Sequence, residues 1–193
     1  MPSDSRNKWN QRHAERELAT PACEVLQQHA AMLPKQGCAL DLACGLGRNA
    51  IFLAQQGLEC DAIDVSDVAL ARLKHYADEQ NLKINTLCAD IEQDGLTSKQ
   101  YDLIVVSYFL HRPLFAAIQR ALKPGGLLFY QTFVQAQTEA PQAKPINTRF
   151  CLKHNELCLA FQDLEIHYYH ETTFDPVNDT APLAMLVARA GSH

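Results

Sequence analysis

The sequence predicts an α/β protein: a doubly wound, mostly parallel seven-stranded sheet with an antiparallel hairpin at its C-terminal edge. Three observations predict it. Between Cys38 and Phe133, short apolar, β-branched runs alternate with segments of helical periodicity. One run, Tyr101-Asp102-Leu103-Ile104-Val105-Val106-Ser107, is almost continuously apolar, as a parallel strand buried on both faces requires. The first two runs each end in an acid, Asp41 and Asp64, with the glycine turn Gly45-Leu46-Gly47 between them. Two carboxylates and a glycine loop then share the carboxyl edge of a βαβ unit, where open α/β sheets bind ligands.

Taken in order, residues 1–20 are polar around the single tryptophan, Trp9, and read as an N-terminal lid segment. From Pro21 to Leu33, Ala22, Val25, Leu26, Ala30 and Leu33 recur at helical spacing, with Pro21 suited to a first turn. Pro34-Lys35-Gln36-Gly37 ends that helix, and a strand follows over Cys38–Leu42. A helix from Arg48 to Gln56 stops at Gly57, and a second strand covers Leu58–Ile63. Ser66 is placed to cap a helix that runs to Glu79. A third strand covers Ile84–Cys88, just ahead of Asp90, and Asp94-Gly95 marks a loop.

The fourth strand is Tyr101–Ser107, followed by a helix over Leu114–Leu122, the break Pro124-Gly125-Gly126 and a fifth strand over Leu127–Phe133. Right-handed crossovers make these five strands parallel. Gln135–Asn147 has no hydrophobic periodicity and contains Pro141 and Pro145; so long a loop in a compact domain reads as an active-site segment. A helix over Lys153–Phe161 precedes two strand-like runs, Leu164–Thr173 and Leu183–Ala190, which pair as the edge hairpin. Without repeats or low-complexity linkers, residues 1–193 read as one domain.

Composition excludes several functions. The net charge is −5, and Arg72, Lys74, His75 and Lys83 are scattered, so no polyanion surface and no nucleic-acid partner are expected. No run approaches the roughly 18 apolar residues of a membrane span, and the polar N-terminus is no secretory signal. A cytoplasmic protein without membrane partners, a monomer or weak homodimer, is expected. The seven cysteines form no CxxC pair and read as reduced thiols. No metal site is expected: Cys151, His154 and Cys158 have no fourth ligand, and His167 and His170 make a poor chelate on a strand.

Gly45-Leu46-Gly47-Arg48-Asn49-Ala50 fits G-x-G-x-x-A, which alone is the dinucleotide fingerprint. Two observations turn the reading. Asp41 lies where a pyrophosphate would approach, which is unfavourable, whereas the ammonium of S-adenosylmethionine would be welcome there. A 193-residue chain also leaves no room for the catalytic domain that an NAD-dependent oxidoreductase needs. Asp64 suits either cofactor, because a carboxylate ending the second strand can accept both ribose hydroxyls. Asp41 and Asp64 as mere strand-end caps, a non-catalytic sensor or assembly protein that binds S-adenosylmethionine, and an NAD-dependent oxidoreductase are the remaining alternatives.

The motifs in order resemble those of class I S-adenosylmethionine-dependent methyltransferases. Asp41-Leu42-Ala43-Cys44-Gly45-Leu46-Gly47 resembles the first motif, with Ala43 where many members carry a glycine. Asp64, with Val65 beside it, matches the acidic ribose-binding residue, and Ala89-Asp90-Ile91 resembles the adenine-binding segment. Tyr101–Ser107 resembles the fourth motif, and Leu122-Lys123-Pro124-Gly125-Gly126-Leu127-Leu128 the turn into the fifth strand. Trp9-Asn10-Gln11-Arg12-His13 is similar to the N-terminal segment of small bacterial tellurite-resistance and thiopurine-like methyltransferases.

The resemblance implies a Rossmann-like fold, S-adenosylmethionine as cofactor, and in-line methyl transfer to a small molecule. It implies cofactor contacts from Asp41, Ala43, Cys44, Gly45, Gly47, Asp64, Val65, Asp90, Ile91 and Ser107, with Trp9 and Arg12 closing over the site. His111 and Arg112, which follow the fourth strand, are the candidate catalytic residues, His111 as a base. Arg48, Arg112 and Arg149 are candidates for binding an anionic acceptor.

Overall fold

The computed structural model describes residues 4–18, 21–135, 147–173, 175 and 180–192. Of the expected active-site loop, residues 136–146 lie outside the described residues. The seven strands are β1 (Cys38–Leu42), β2 (Glu59–Asp64), β3 (Ile84–Cys88), β4 (Tyr101–Ser107), β5 (Leu122–Phe133), β6 (Glu165–Glu171) and β7 (Leu183–Arg189). They form one sheet in the order β3-β2-β1-β4-β5-β7-β6. The first five are parallel, and β7 lies antiparallel to both β5 and β6. The order reverses between β1 and β4, which puts the switch point of the sheet beside the glycine loop.

The hairpin forms as expected, but β7 takes the inner place and β6 the edge. Ala184–Ala188 of β7 is apolar and buried throughout, so it is suited to neighbours on both sides. In β6 the side chains of Glu165, His167 and His170 face solvent, and such residues blunt an edge.

Strand β4 divides two cores by its pleat. Leu103 and Val105 face one side with Val25, Leu53, Leu70, Leu73 and Phe129, while Ile104 and Val106 face the other with Leu42, Ile118, Tyr130, Leu157 and Phe161. Helices α2 (Glu24–Gln28), α3 (Arg48–Gln55) and α4 (Asp67–Glu79) cover the first face. The short α5 (Ile91–Asp94) falls where a loop was expected, and with α6 (Phe115–Arg120) and α7 (Glu156–Ala160) it feeds the second core. Ser66 caps α4 as its position predicts, accepting the Ala69 N–H at 3.1 Å.

Three local differences have physical causes. Strand β5 begins at Leu122, and the expected break at Pro124-Gly125-Gly126 lies inside it as a bulge: Gly125 holds φ 76°, pairing with β4 passes from Leu122 to Leu127, and a Cβ on Gly126 would stand 2.9 Å from the carbonyl oxygens of Tyr101 and Lys123. The helix expected from Pro21 to Leu33 stops at Gln28 and resumes as a 3-10 turn over Ala30–Met32. The polar N-terminus contains a helix, α1 (Asp4–Ala14), which no apolar stripe announces. No helix among the described residues is long and apolar enough to cross a membrane, and all seven cysteines are unpaired thiols.

Candidate active site

The loop after β1 turns through left-handed backbone at Ala43 (φ 55°), Gly45 (φ 54°) and Gly47 (φ 76°). At Ala43 a side chain tolerates a conformation that glycine adopts freely. The turn is closed by the Cys44 N–H on the Ile63 carbonyl at 3.0 Å and the Gly47 N–H on the Cys44 carbonyl at 2.9 Å. Gly47 begins α3 without a side chain to cap it. Asp41 supplies the cap from β1: fully buried, it accepts the Ala50 N–H at 3.0 Å and lies 3.5 Å from Asn49 Nδ2. Burial pushes its carboxyl up to about 7, against the hydrogen bonds from Ala50 and Asn49.

Asn49, 1% exposed, is the hub of this corner. Its Oδ1 accepts the Cys23 N–H at 2.9 Å, and its Nδ2 donates to Ser107 Oγ at 2.9 Å. Ser107, at the end of β4, is thereby tied to the glycine loop. At the end of β2, Asp64 accepts the Gly45 N–H at 2.8 Å through Oδ2 and the Ser66 N–H at 2.8 Å through Oδ1. Asp90, half-buried after β3, accepts from Gln93 Nε2 at 2.8 Å, and its neighbour Ile91 is buried. The acids thus lie along the carboxyl ends of adjacent strands, with the glycine loop among them.

Helix α1 lies over this edge. The Arg6 Nε donates to the Val65 carbonyl at 3.2 Å, and Asn10 accepts from Ser66 Oγ and donates to Asp67, both at 2.7 Å. Arg12 rests its guanidinium 5.1 Å above the Trp9 ring, and Trp9 stacks on His13 at 5.5 Å. The buried side chain of α1 is His13, rather than Trp9 or Arg12. A Cβ built on Gly45 would stand 3.1 Å from His13 Cε1.

Beyond Ser107, Tyr108 holds a left-handed backbone (φ 55°) and is 42% exposed. The Arg48 guanidinium sits 5.1 Å above its ring and Phe133 flanks it at 5.2 Å. Gln131, buried in β5, accepts the Val25 N–H through Oε1 at 2.9 Å, which turns its Nε2 to donate to the Tyr108 hydroxyl at 3.0 Å. Tyr108 therefore keeps its own O–H for donation. No carboxylate among the described residues pairs with Arg48.

Residues 7–177 match the family model described as tellurite resistance protein TehB. The chain belongs to the TehB family. It is 31% identical over 139 residues to the probable S-adenosyl-L-methionine-dependent methyltransferase TehB of Haemophilus influenzae, covering 68% of this chain and 47% of that protein. The crystal structure of TehB from Haemophilus influenzae superposes with a TM-score of 0.73 at 24% identity, over 86% of this chain and 61% of that one. Geranyl diphosphate C-methyltransferase from Streptomyces coelicolor, solved with Mg2+, geranyl diphosphate and S-adenosyl-L-homocysteine, superposes with a TM-score of 0.68 at 14% identity, over 86% of this chain and 78% of that one. These likenesses give the fold. The chain spans about half the length of the curated TehB relative it matches.

Within this TehB-family fold, the sequence-predicted residues separate into two groups. Asp41, Ala43, Cys44, Gly45, Gly47, Asp64, Val65 and Ser107 converge at the switch point, with Asp90 and Ile91 following β3. Of the candidate catalytic pair, Arg112 is engaged by an acid of α7. Arg112 is bound bidentately by Glu156, Nε to Oε1 at 2.5 Å and Nη2 to Oε2 at 2.9 Å, and also donates to the Cys151 carbonyl at 3.2 Å. The pairing raises the Arg112 pKa and engages its guanidinium with α7. His111, half-exposed, begins the turn into α6, its carbonyl accepting the Leu114 N–H at 3.0 Å. Arg149 is exposed on a separate 3-10 turn.

Sequence reasoning missed Asn49, Gln131 and His13. Asn49 is a polar residue on the apolar face of α3, next to Ala50 and Ile51, and that was its one local signal. His13 follows Trp9 by one helical turn in an otherwise polar segment.

Proposed function

We propose that this TehB-family chain uses S-adenosylmethionine to methylate a small, anionic acceptor. The carrying observation is the glycine loop set among strand-end carboxylates at the switch point, in a chain whose relative is a probable S-adenosyl-L-methionine-dependent methyltransferase. The residues fit the cofactor. Asp64 accepts one N–H per oxygen and retains lone pairs for the ribose hydroxyls. The left-handed turn at Gly45 and Gly47 brings bare backbone to the ligand edge. His13 Nδ1 is a buried polar atom without a partner beside that turn.

When bound, the cofactor supplies an electrophilic methyl group on a sulfonium. The chain's own part is binding, orientation and exclusion of water. Asp64 holds the ribose, Asp90 the exocyclic amine of adenine, and the Asp41–Asn49–Ser107 network backs the methionyl portion. Helix α1 keeps water from the cofactor edge. Arg48 and Tyr108 offer only donors, so the group they would bind is an anion, and Phe133 gives the acceptor an apolar wall. His111 stands close in sequence as a base for an acceptor that arrives protonated. The net charge of −5 supports a protein that acts without a nucleic-acid partner, and we read it as cytoplasmic.

Two measurements test this reading. Calorimetric titration with S-adenosylhomocysteine should give binding that NAD does not reproduce and that Asp64→Ala loses. Methyl transfer should then favour 2-mercaptobenzoate over benzenethiol, with the preference lost in Arg48→Ala. Cofactor binding with no turnover of any acceptor would favour a sensor instead. Equal use of the two thiols would remove the anionic acceptor.

A further inference from the structure

Helix α1 poses a physical problem. It has no apolar face to dock, yet it is fastened at Val65, Ser66 and Asp67, and Arg72 donates to the His13 carbonyl. The side chain it buries is an imidazole, 6% exposed, whose Nδ1 has no hydrogen-bond partner. Burying a polar nitrogen unpaired is unfavourable, so packing alone is a poor reason to place histidine there. The ring stands against Gly45, whose N–H is held by Asp64, the carboxylate assigned to the ribose. Burial lowers the His13 pKa, with Asp64 opposing and Arg16, Arg72 and Arg12 assisting, so the ring is neutral near pH 7 and one nitrogen offers a lone pair.

We propose that His13 is a cofactor-binding residue: its Nδ1 hydrogen-bonds a ribose hydroxyl of the nucleoside that Asp64 holds from the other side. The proposal rests on the S-adenosylmethionine reading above. Entry of the nucleoside lifts α1 from Gly45, and the imidazole closes on the ligand in place of the glycine. The helix then reports on occupancy, because the buried Nδ1 of His13 is satisfied only when ligand is present.

Calorimetry on the full chain separates the outcomes, with S-adenosylhomocysteine and 5′-methylthioadenosine, which lacks the amino-acid portion, as probes. His13→Phe keeps a ring against Trp9 and Gly45 but has no hydrogen-bonding atom; His13→Asn keeps an amide near the Nδ1 position. Binding of both probes should weaken about ten-fold or more in His13→Phe and His13→Ala and recover most of the loss in His13→Asn, while the thermal midpoint of unliganded His13→Phe, which loses the unpaired nitrogen, stays level or rises. The His13 Hε1 resonance should also move on addition of either probe to the wild type. The proposal is overturned if His13→Phe binds like wild type, if His13→Asn is no better than His13→Ala, or if only S-adenosylhomocysteine is affected. Wild-type protein that binds neither probe would instead overturn the cofactor reading itself.

Discussion

Asn49 in α3 donates to Ser107 Oγ at 2.9 Å, joining the helix after the glycine loop to the end of the adjacent strand. The same side chain satisfies the Cys23 N–H, the first backbone donor of α2. One amide therefore locks three elements at the switch point.

Asn49→Ala leaves the buried Cys23 N–H without an acceptor and should cost about 1–3 kcal/mol. Asn49→Asp should cost more above neutral pH, since it sets a second carboxylate beside buried Asp41. Denaturant unfolding of both variants at two pH values checks the order.

Asp41 gives a pH signature. Its carboxyl is held near 7, up from the usual 3.8, so folding favours the protonated form. That contribution is fully present below 3.8 and is lost as pH rises through about 7. The thermal midpoint of wild type relative to Asp41→Asn should therefore fall between about pH 4 and pH 7, the span between the unfolded and folded values, and level off above it. A pH-independent gap would show that Asp41 is ionised throughout.

Ala43 holds φ 55°, a backbone conformation that glycine adopts without steric cost. Ala43→Gly relieves that strain and should be neutral or stabilising by up to about 1 kcal/mol, because greater freedom in the unfolded chain offsets part of the gain. A marked loss of stability by chemical denaturation would mean that the Ala43 methyl packs more than it strains.

The Arg112–Glu156 pair is bidentate but partly exposed, so solvent screening limits its worth. A double-mutant cycle on stability with Arg112→Ala and Glu156→Ala should return a coupling of about 1 kcal/mol or less, weaker in high salt. A coupling of several kcal/mol would mark the pair as a main support of α7.

What could be read from the sequence follows the range of the interactions involved. Strand β4 was legible because burial on both faces leaves a continuous apolar run, and the glycine loop with Asp64 because its turn is local. Helix α1 was not, since its polar sequence has no stripe and its place depends on Asn10 reaching Ser66 and Asp67. The break expected at Pro124-Gly125-Gly126 persists inside β5 as a bulge, with Gly125 at φ 76° and regular pairing to β4 resuming at Leu127; the close approach of Gly126 to Tyr101 was not legible. Partnerships such as Val25 with Gln131, or Arg112 with Glu156, join residues far apart in the chain, and no local pattern encodes them. The hold of Glu156 on the Arg112 guanidinium is one such partnership, joining α7 to the turn after β4.

The inner position of β7 also bears on how the protein is made. Strand β5 has β4 on one side, and its other edge waits for Leu183–Arg189, which leaves the ribosome after every other strand. Until that segment arrives, β5 presents an unpaired, apolar edge on which another chain could template. Nascent chains stalled before residue 183 should engage chaperones and aggregate, and productive folding should begin only once β7 has emerged to fill the gap.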